Sequence, residues 1–374
     1  MGTTVRIGSK VAHAAEWRAR AARAWAARTV EIVRVTHREH PGDPLGTARR
    51  AADLVARRGF TLDEAFTLGL LEPSRTAAEL DDHVSKRRMI GLQASLNPNE
   101  FWYLTEDKAI FYRLAESLGL PVPRLHAILC QSGPGWTRTG DVLGAPGDWA
   151  RFLESGAPDE FVVKPARGYH GHGVRLVRRR GSMLDVAGSG PTTAADLCRE
   201  LVADRRFHIH VVQERLRDHP DLPGDGSALQ TLRIVTLVAR DGRVRVLNAQ
   251  FRLAAPGNAI DNFADGTTGN LLAIIGLEDG SLGPIIRPGA RRVLERVPAG
   301  TLDGAPPAGA RLPYWDEIGA VVSEAAPHFL PMRAIGWDVA ITPDGPRIVE
   351  ANIWWDPPTP QPGMGALVEE LRTA

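Results

Sequence analysis

Two carboxylates and a carboxamide stand near the C-terminal end of the chain in a spacing that invites a metal ion. Gly336-Trp337-Asp338-Val339-Ala340-Ile341 reads as a strand, Thr342-Pro343-Asp344-Gly345-Pro346 as a turn, and Arg347-Ile348-Val349-Glu350-Ala351-Asn352 as the returning strand. A turn centred on Asp344 sets Asp338 opposite Glu350. Side chains alternate along a strand, so Glu350 and Asn352 share a face, and Asp338 joins them there. Carboxylates facing each other across strands repel unless something compensates. A divalent cation does so, and this set of oxygen donors suits Mg²⁺, which also takes phosphate oxygens. One shared proton or a neighbouring arginine would serve as well.

Three other stretches add chemistry. Phe161-Val162-Val163-Lys164-Pro165 precedes Gly168-Tyr169-His170-Gly171-His172-Gly173-Val174. Gly168, Gly171 and Gly173 let the backbone approach a ligand and aim N–H groups at phosphate oxygens, and Lys164 could reach the same phosphates. No Gly-Lys-Ser/Thr follows, so this is not a Walker A loop. A plain flexible hairpin would read similarly. His170 and His172 are candidates for a base or metal role in that loop. Next, Leu232–Val238 leads through Asp241-Gly242, a two-residue hairpin signal, into Val244–Leu253. In that register Arg233 pairs with Gln250 and Arg252 with Thr231, which makes the arginines diagonal neighbours. Two cations this close suggest an anion between them, such as a phosphate or acyl-phosphate. Solvated surface arginines are the alternative, and a one-residue slip would separate them. Finally, Val211-Val212-Gln213-Glu214 is a short apolar strand with a polar end, able to offer backbone groups and a carboxylate to a base.

These pieces need strands to hold them, and the chain supplies an α+β pattern dominated by antiparallel hairpins. Strands are expected at Leu125–Cys130, Phe161–Pro165, Gly173–Val177, Val211–Glu214, Leu232–Ala239, Val244–Leu253, Gly336–Ile341 and Arg347–Asn352. Helices are expected at Asp107–Leu118, Ala194–Ala203 and Trp315–Ala325. Residues 1–95 read as a helical N-terminal region without a catalytic motif, with breaks at Pro41-Gly42 and Pro73-Ser74. Within it, Ala12–Val30 could form a basic amphipathic helix. Gln131–Asp148 reads as a Gly/Pro/Trp-rich connection, and Asp356–Pro362 as a Pro-rich tail.

At 374 residues, 43% hydrophobic and 24% charged, the chain can bury two or three packed subdomains. Lys+Arg 45 against Asp+Glu 44 argues against a nucleic-acid binder. Cys130 and Cys198 make no zinc or CxxC spacing, which points to a reducing, cytoplasmic compartment without a disulfide framework. No apolar run approaches the roughly 20 residues that span a bilayer.

Taken together, the residues resemble the ATP-grasp superfamily, most closely its sugar-transfer-associated branch, related to α-L-glutamate ligases. The resemblance runs from about Asn97 to Pro357. It rests on Asp107-Lys108 at a helix head, Phe161–Lys164 with its glycine loop, Gln213-Glu214, Asp218-His219-Pro220, Thr231–Thr236, Phe251-Arg252-Leu253, Asp261-Asn262, Gly336–Ala340 and Glu350-Ala351-Asn352. It implies two α+β subdomains gripping ATP within residues 96–374: an N-terminal part at 96–150, an ATP-binding lid at 151–215, and a metal and phosphate-transfer part at 216–374. Lys108 and Lys164 would bind ATP phosphates, with Gly168, Gly171 and Gly173 closing over them. Gln213 and Glu214 would flank adenine and ribose. Asp338, Glu350 and Asn352 would hold one or two Mg²⁺, and Arg233 and Arg252 would stabilise the transferred phosphoryl group. The implied chemistry is activation of a carboxylate as an acyl-phosphate and attack by an amine. A kinase acting on a hydroxyl, or a non-catalytic nucleotide-binding protein of a polysaccharide pathway, are the competing outcomes. The loop's Tyr169, His170 and His172, and the run Phe263–Asn270, depart from the branch's pattern and put loop closure and acceptor identity in question.

Overall fold

A computed structural model describes residues 27–36, 38, 43–168, 171–289, 293–301, 307, 309–357 and 364–374. Most of the suggested amphipathic helix, the Pro41-Gly42 break, Tyr169, His170 and most of the Pro-rich tail lie outside them. The chain divides into two compact units, up to Arg88 and from Met89 onward.

The described residues of the first unit are helical, as their Ala/Leu/Arg-rich sequence leads one to expect. Helices at Pro44–Ala56, Leu62–Thr67 and Ala77–Asp81 start from Asp43, Thr61 and Thr76. Thr61 with Glu64, and Thr76 with Glu79, form capping boxes that satisfy first-turn amides.

The second unit is α+β. Its first sheet has eight strands: β1 (Leu125–Cys130), β2 (Gly135–Thr137), β3 (Val142–Leu143), β4 (Glu160–Pro165), β5 (Arg175–Arg180), β6 (Met183–Val186), β7 (Gly190–Thr192) and β8 (Ile209–Glu214). Their order is β3-β2-β1-β8-β4-β5-β6-β7. The second sheet has seven: β9 (Thr231–Val238), β10 (Val244–Leu253), β11 (Leu271–Ile275), β12 (Leu282–Pro288), β13 (Leu294–Val297), β14 (Ala334–Thr342) and β15 (Gly345–Asn352), ordered β13-β12-β11-β10-β9-β14-β15. Neighbouring strands run antiparallel. Helices Lys108–Ser117, Ala194–Ala203 and Trp315–Ala325 stand where the sequence placed them. The Gln131–Asp148 connection is more ordered than expected, since it contains β2, β3 and a helix from Pro146. Strands β6, β7, β11, β12 and β13 were not expected.

One apolar core gathers the back of the second sheet, including the fully buried Trp337, against Phe111, Phe329 and helix Trp315–Ala325. Trp337 Nε1 donates to Thr236 Oγ1 at 2.8 Å, so its one polar atom is satisfied in the interior. A second core packs Trp149 and helix Ala194–Ala203 on the first sheet.

Both sheet-two hairpins reach the expected pairing by an unexpected route. The β14–β15 turn holds only Pro343 and Asp344 between the paired Thr342 and Gly345. That count alone would set Asp338 opposite Val349. A bulge between Asp338 and Val339 shifts the register by one and restores Asp338↔Glu350. In β9–β10, Val238 pairs with Val244, and a bulge between Val246 and Asn248 brings Arg233 opposite Gln250. Because Arg233 also pairs with Asp338, Gln250, Arg233, Asp338 and Glu350 form one row across four strands. Each row member faces the same side of the sheet.

Candidate active site

That row faces a cavity of about 820 Å³ enclosed by both sheets and the loops after β4 and β8. Lys108, Lys164, Gly168, Gly171, Gln213, Arg233, Arg252, Asp338, Glu350 and Asn352 line it; Gly173 and Glu214 do not.

The cations and carboxylates interlock. Arg233 grips Asp338 with two nitrogens, Nε to Oδ1 at 2.5 Å and Nη2 to Oδ2 at 3.1 Å. Arg252 Nη1 donates to the same Oδ2 at 3.1 Å and to Thr231 Oγ1 at 3.1 Å. The anion between the two arginines is thus the chain's own Asp338. Burial would push this carboxyl up, but Arg233 and Arg252 outweigh that and hold it down to about 2. Thr231 in turn donates from its amide and hydroxyl to Asp261. Across the row, Lys108 Nζ meets Glu350 Oε1 at 2.6 Å. The facing carboxylates are therefore compensated by three cationic side chains. Among the described residues no group of three His, Cys, Asp or Glu is arranged to hold a metal ion.

Lys108 is placed by its helix. Asp107 caps the helix, accepting from the amides of Ala109 and Ile110 at 3.0 and 3.3 Å. Lys108 is the first residue inside, its amide donates to the Ala166 carbonyl at 2.8 Å, and its Nζ donates to the Gly168 carbonyl at 3.4 Å. It ties the glycine loop to β15.

Lys164 is the last residue but one of β4 and is only 7% exposed. Its Nζ donates to the Tyr112 hydroxyl at 2.9 Å, and that hydroxyl donates to the Val349 carbonyl at 2.6 Å. Burial first, and repulsion from Lys108 second, lower the Lys164 ammonium to about 7.

The glycine loop has steric reasons for two of its glycines. Gly171 and Gly173 have φ of 73° and 78°. A Cβ on Gly171 would meet Ile260 Cγ2 at 2.6 Å, and one on Gly173 would meet Pro165 Cγ at 2.8 Å. Only glycine accommodates both the backbone and the crowding. Gly173 shapes the loop from behind without reaching the cavity.

Gln213 is 3% exposed, and its carboxamide oxygen has no hydrogen-bond partner among the described residues. A buried orphan acceptor in a cavity wall fits a ligand donor such as an exocyclic amine. Glu214 stands apart. Its carboxylate accepts from the Arg124 amide at 3.0 Å. Glu214 is exposed and does not line the cavity, whereas Gln213 before it does. The residue two beyond Gln213, Arg215, does line it.

Tyr112, Thr231, Asp218 and Asp261 were not singled out for roles by sequence. Thr231 was recoverable as the cross-strand partner of Arg252. Tyr112 was not, because nothing local links a helix tyrosine to a lysine 52 positions on.

No described helix is long and apolar enough to cross a membrane. A comparison with curated proteins found no match. Among solved structures, the chain is similar to D-alanyl-alanine synthetase A from Vibrio cholerae O1 biovar eltor at 12% identity, covering 71% of this chain and 60% of that one with a TM-score of 0.40. It is similar to N5-carboxyaminoimidazole synthetase from Staphylococcus aureus at 11% identity, with 72% and 50% covered and a TM-score of 0.37. It is also similar to the biotin carboxylase domain of Hydrogenobacter thermophilus 2-oxoglutarate carboxylase, a complex with MgADP, ADP and bicarbonate, at 13% identity, with 72% and 46% covered and a TM-score of 0.41. The match thus spans about half to three fifths of those proteins' lengths. The profile of the sugar-transfer associated ATP-grasp family matches residues 87–366, three quarters of the sequence and every residue of the row, and the chain belongs to that family.

Proposed function

We propose that the protein is a Mg-ATP-dependent ligase that activates a carboxylate as an acyl-phosphate and joins it to an amine, releasing ADP and phosphate. The observation that carries this reading is the row Arg233-Asp338-Glu350 with Lys108, Lys164 and Arg252 converging on one cavity. Lys108, Lys164, Arg233 and Arg252 gather beside the row, a set of donors suited to phosphate oxygens. In this reading Gln213 accepts from the adenine amine, while Lys108, Lys164 and the loop of Gly168 and Gly171 hold the phosphates. Arg233 and Arg252 neutralise the phosphoryl group in transit. Positioning and charge neutralisation supply most of the rate in such transfers.

The donor chemistry fits magnesium at Glu350 and Asn352. Glu350 is 26% exposed at its side chain, and Lys108 contacts one of its two oxygens. Asn352 uses its nitrogen, donating to the Gly336 carbonyl at 3.4 Å, which leaves its oxygen as a donor to a cation. Asp338, the third residue assigned to the metal, is engaged by both arginines and serves first as their counter-ion. When bound, the ion supplies charge neutralisation to phosphate oxygens.

The test is ATP binding by calorimetry with and without Mg²⁺, alongside ADP release with mixed carboxylates and amines. Glu350→Gln is expected to remove most of the Mg²⁺-dependent gain in affinity and to reduce turnover on the order of 10² or more, the scale on which a lost charge-stabilising group acts. Near-normal Mg²⁺ dependence in the variant would sink the metal assignment. Absence of nucleotide binding in the wild type would sink the function.

Lys164 gives a separate expectation. With its ammonium lowered to about 7, the free protein carries it mostly neutral at pH 8. A triphosphate beside it favours the charged form. ATP binding at pH 8 should therefore take up a proton, approaching about one per site. Calorimetry in buffers of different ionisation enthalpy reads this directly. Lys164→Met should abolish the uptake, and equal heats in all buffers for the wild type would contradict the phosphate contact.

A further inference from the structure

The cavity is not cationic throughout. Asp218, four residues beyond the end of β8, lines it as well. Among the described residues, its two oxygens accept only from the Gln230 amide at 3.0 Å and from Gln230 Nε2 at 3.3 Å. No lysine or arginine forms an ion pair with it among the described residues, in contrast to Asp338 and Glu350 in the same cavity. A half-buried carboxylate without a cation is costly unless a ligand provides one. Its placement is also fixed. Gln230 Nε2 bonds the Pro223 carbonyl, and Gln230 Oε1 accepts from the Ala254 amide at 3.1 Å, so the side chain that holds Asp218 is itself anchored at two points. Gln230 directly precedes Thr231, the residue bonded to Arg252. Three residues of extended chain, about 10 Å at the usual strand rise, separate Gln230 from Arg233. Asp218 therefore lies along the same wall as the arginines, and Asp261, which Thr231 bonds, is the other carboxylate near it.

Building on the ligase reading, we infer that Asp218 receives the acceptor substrate as an ammonium and takes its proton, so that the acceptor is a primary amine rather than a hydroxyl. The step balances. The ammonium gives one proton to the Asp218 carboxylate and becomes a neutral amine. The amine lone pair forms the C–N bond at the acyl-phosphate carbon. The C–O bond to phosphate breaks, and phosphate leaves with that pair and the second proton from nitrogen. Burial first, with Asp261 nearby adding to it, pushes the Asp218 carboxyl up to about 6, close to working pH, where a carboxylate accepts a proton most effectively. A hydroxyl acceptor would bring no charge for Asp218 to meet.

The experiment compares two nucleophiles on the full-length protein with Mg-ATP and a mixture of α-amino acids and short-chain carboxylates. Hydroxylamine is neutral at pH 7.5 and traps an acyl-phosphate as hydroxamate without a base. Amino acids and amino sugars arrive as ammonium ions. Asp218→Asn should keep hydroxamate formation within about threefold of wild type while amine-dependent ADP release falls on the order of 10², the usual contribution of a positioned base. Asp218→Glu should recover part of the amine reaction. Unchanged amine-dependent release in Asp218→Asn overturns the inference and leaves the ligase standing. So does loss with both nucleophiles that Asp218→Glu fails to recover, since that marks a structural role. A wild type that forms no hydroxamate and consumes no ATP with any amine overturns the ligase reading, and this inference with it.

Discussion

Asp338→Asn is expected to lower the unfolding free energy by about 3 kcal/mol, at the lower end of what breaking a buried ion pair costs. Three side chains share this interaction, and all are largely shielded: Asp338 is 8% exposed, Arg233 17% and Arg252 15%. The substitution keeps the shape and removes the charge, which leaves two guanidinium groups facing a neutral amide. A urea titration should show a lower midpoint with an unchanged slope. ATP should then stabilise the variant more than the wild type, because its phosphates supply the missing anion; at about 100 times the dissociation constant, linkage already gives ~2.7 kcal/mol. An unchanged midpoint would mean that the arginines do not depend on Asp338. The acid limb has a defined sign. The native carboxyl is depressed to about 2, so its contribution is complete above the ordinary carboxylate range and disappears as pH falls through about 2.

Arg233→Ala is expected to lower kcat about 10³-fold while ATP affinity falls less than tenfold, the split that marks a group acting mainly on the transferring phosphoryl. The fold should tolerate this change better than Asp338→Asn, because Arg252 and Asp338 remain a one-to-one pair. Arg233→Lys should recover little of the rate. An ammonium cannot reproduce the two-nitrogen grip on Asp338, so it would sit differently even with the charge retained. Equal losses of kcat and affinity would make Arg233 an ATP clamp instead.

Much of this site was legible because the pieces that matter are local. Hairpin arithmetic from Asp344 and from Asp241-Gly242 gave the pairs Asp338–Glu350 and Arg233–Gln250 that the structure contains. Both sums succeeded by compensation: each turn is one register step away from the assumed one, and each strand carries a bulge that restores it. Bulges leave little trace in apolar alternation. Joining the two hairpins was not legible, since the β9–β14 pairing brings together residues a hundred positions apart. For that reason the arginine contacts of Asp338 could be named only as an alternative to a metal ion, and the contact of Lys108 with Glu350 was not foreseen. Gln213 lines the cavity and Glu214 does not, a difference that the dipeptide by itself does not convey. Leu271–Ile275 escaped because its apolar run alone does not distinguish a strand from a helix segment. The Tyr112 bridge to Lys164 has no local signature at all.

The two bulges carry a consequence for how the protein tolerates change. Each lies between its turn and the row of site residues, so the row's parity is set inside the strand and held from the other side by β9. The tips at 239–243 and 343–344 are thereby uncoupled from the chemistry, and variation there leaves the cavity wall as it is. Leu247 shows the same tolerance inside the strand. It is the extra residue of the bulge in β10, the central strand of the sheet. Its removal would let Asn248 opposite Val235 follow directly on Val246 opposite Thr236, a regular ladder that keeps Gln250 opposite Arg233. Removing a residue between Asn248 and Arg252 is the opposite case, because no bulge there absorbs the change and Gln250 would turn to the far face of the sheet. Length on the row side of each bulge is therefore constrained more tightly than side-chain identity, a form of constraint that substitution scanning alone would pass over.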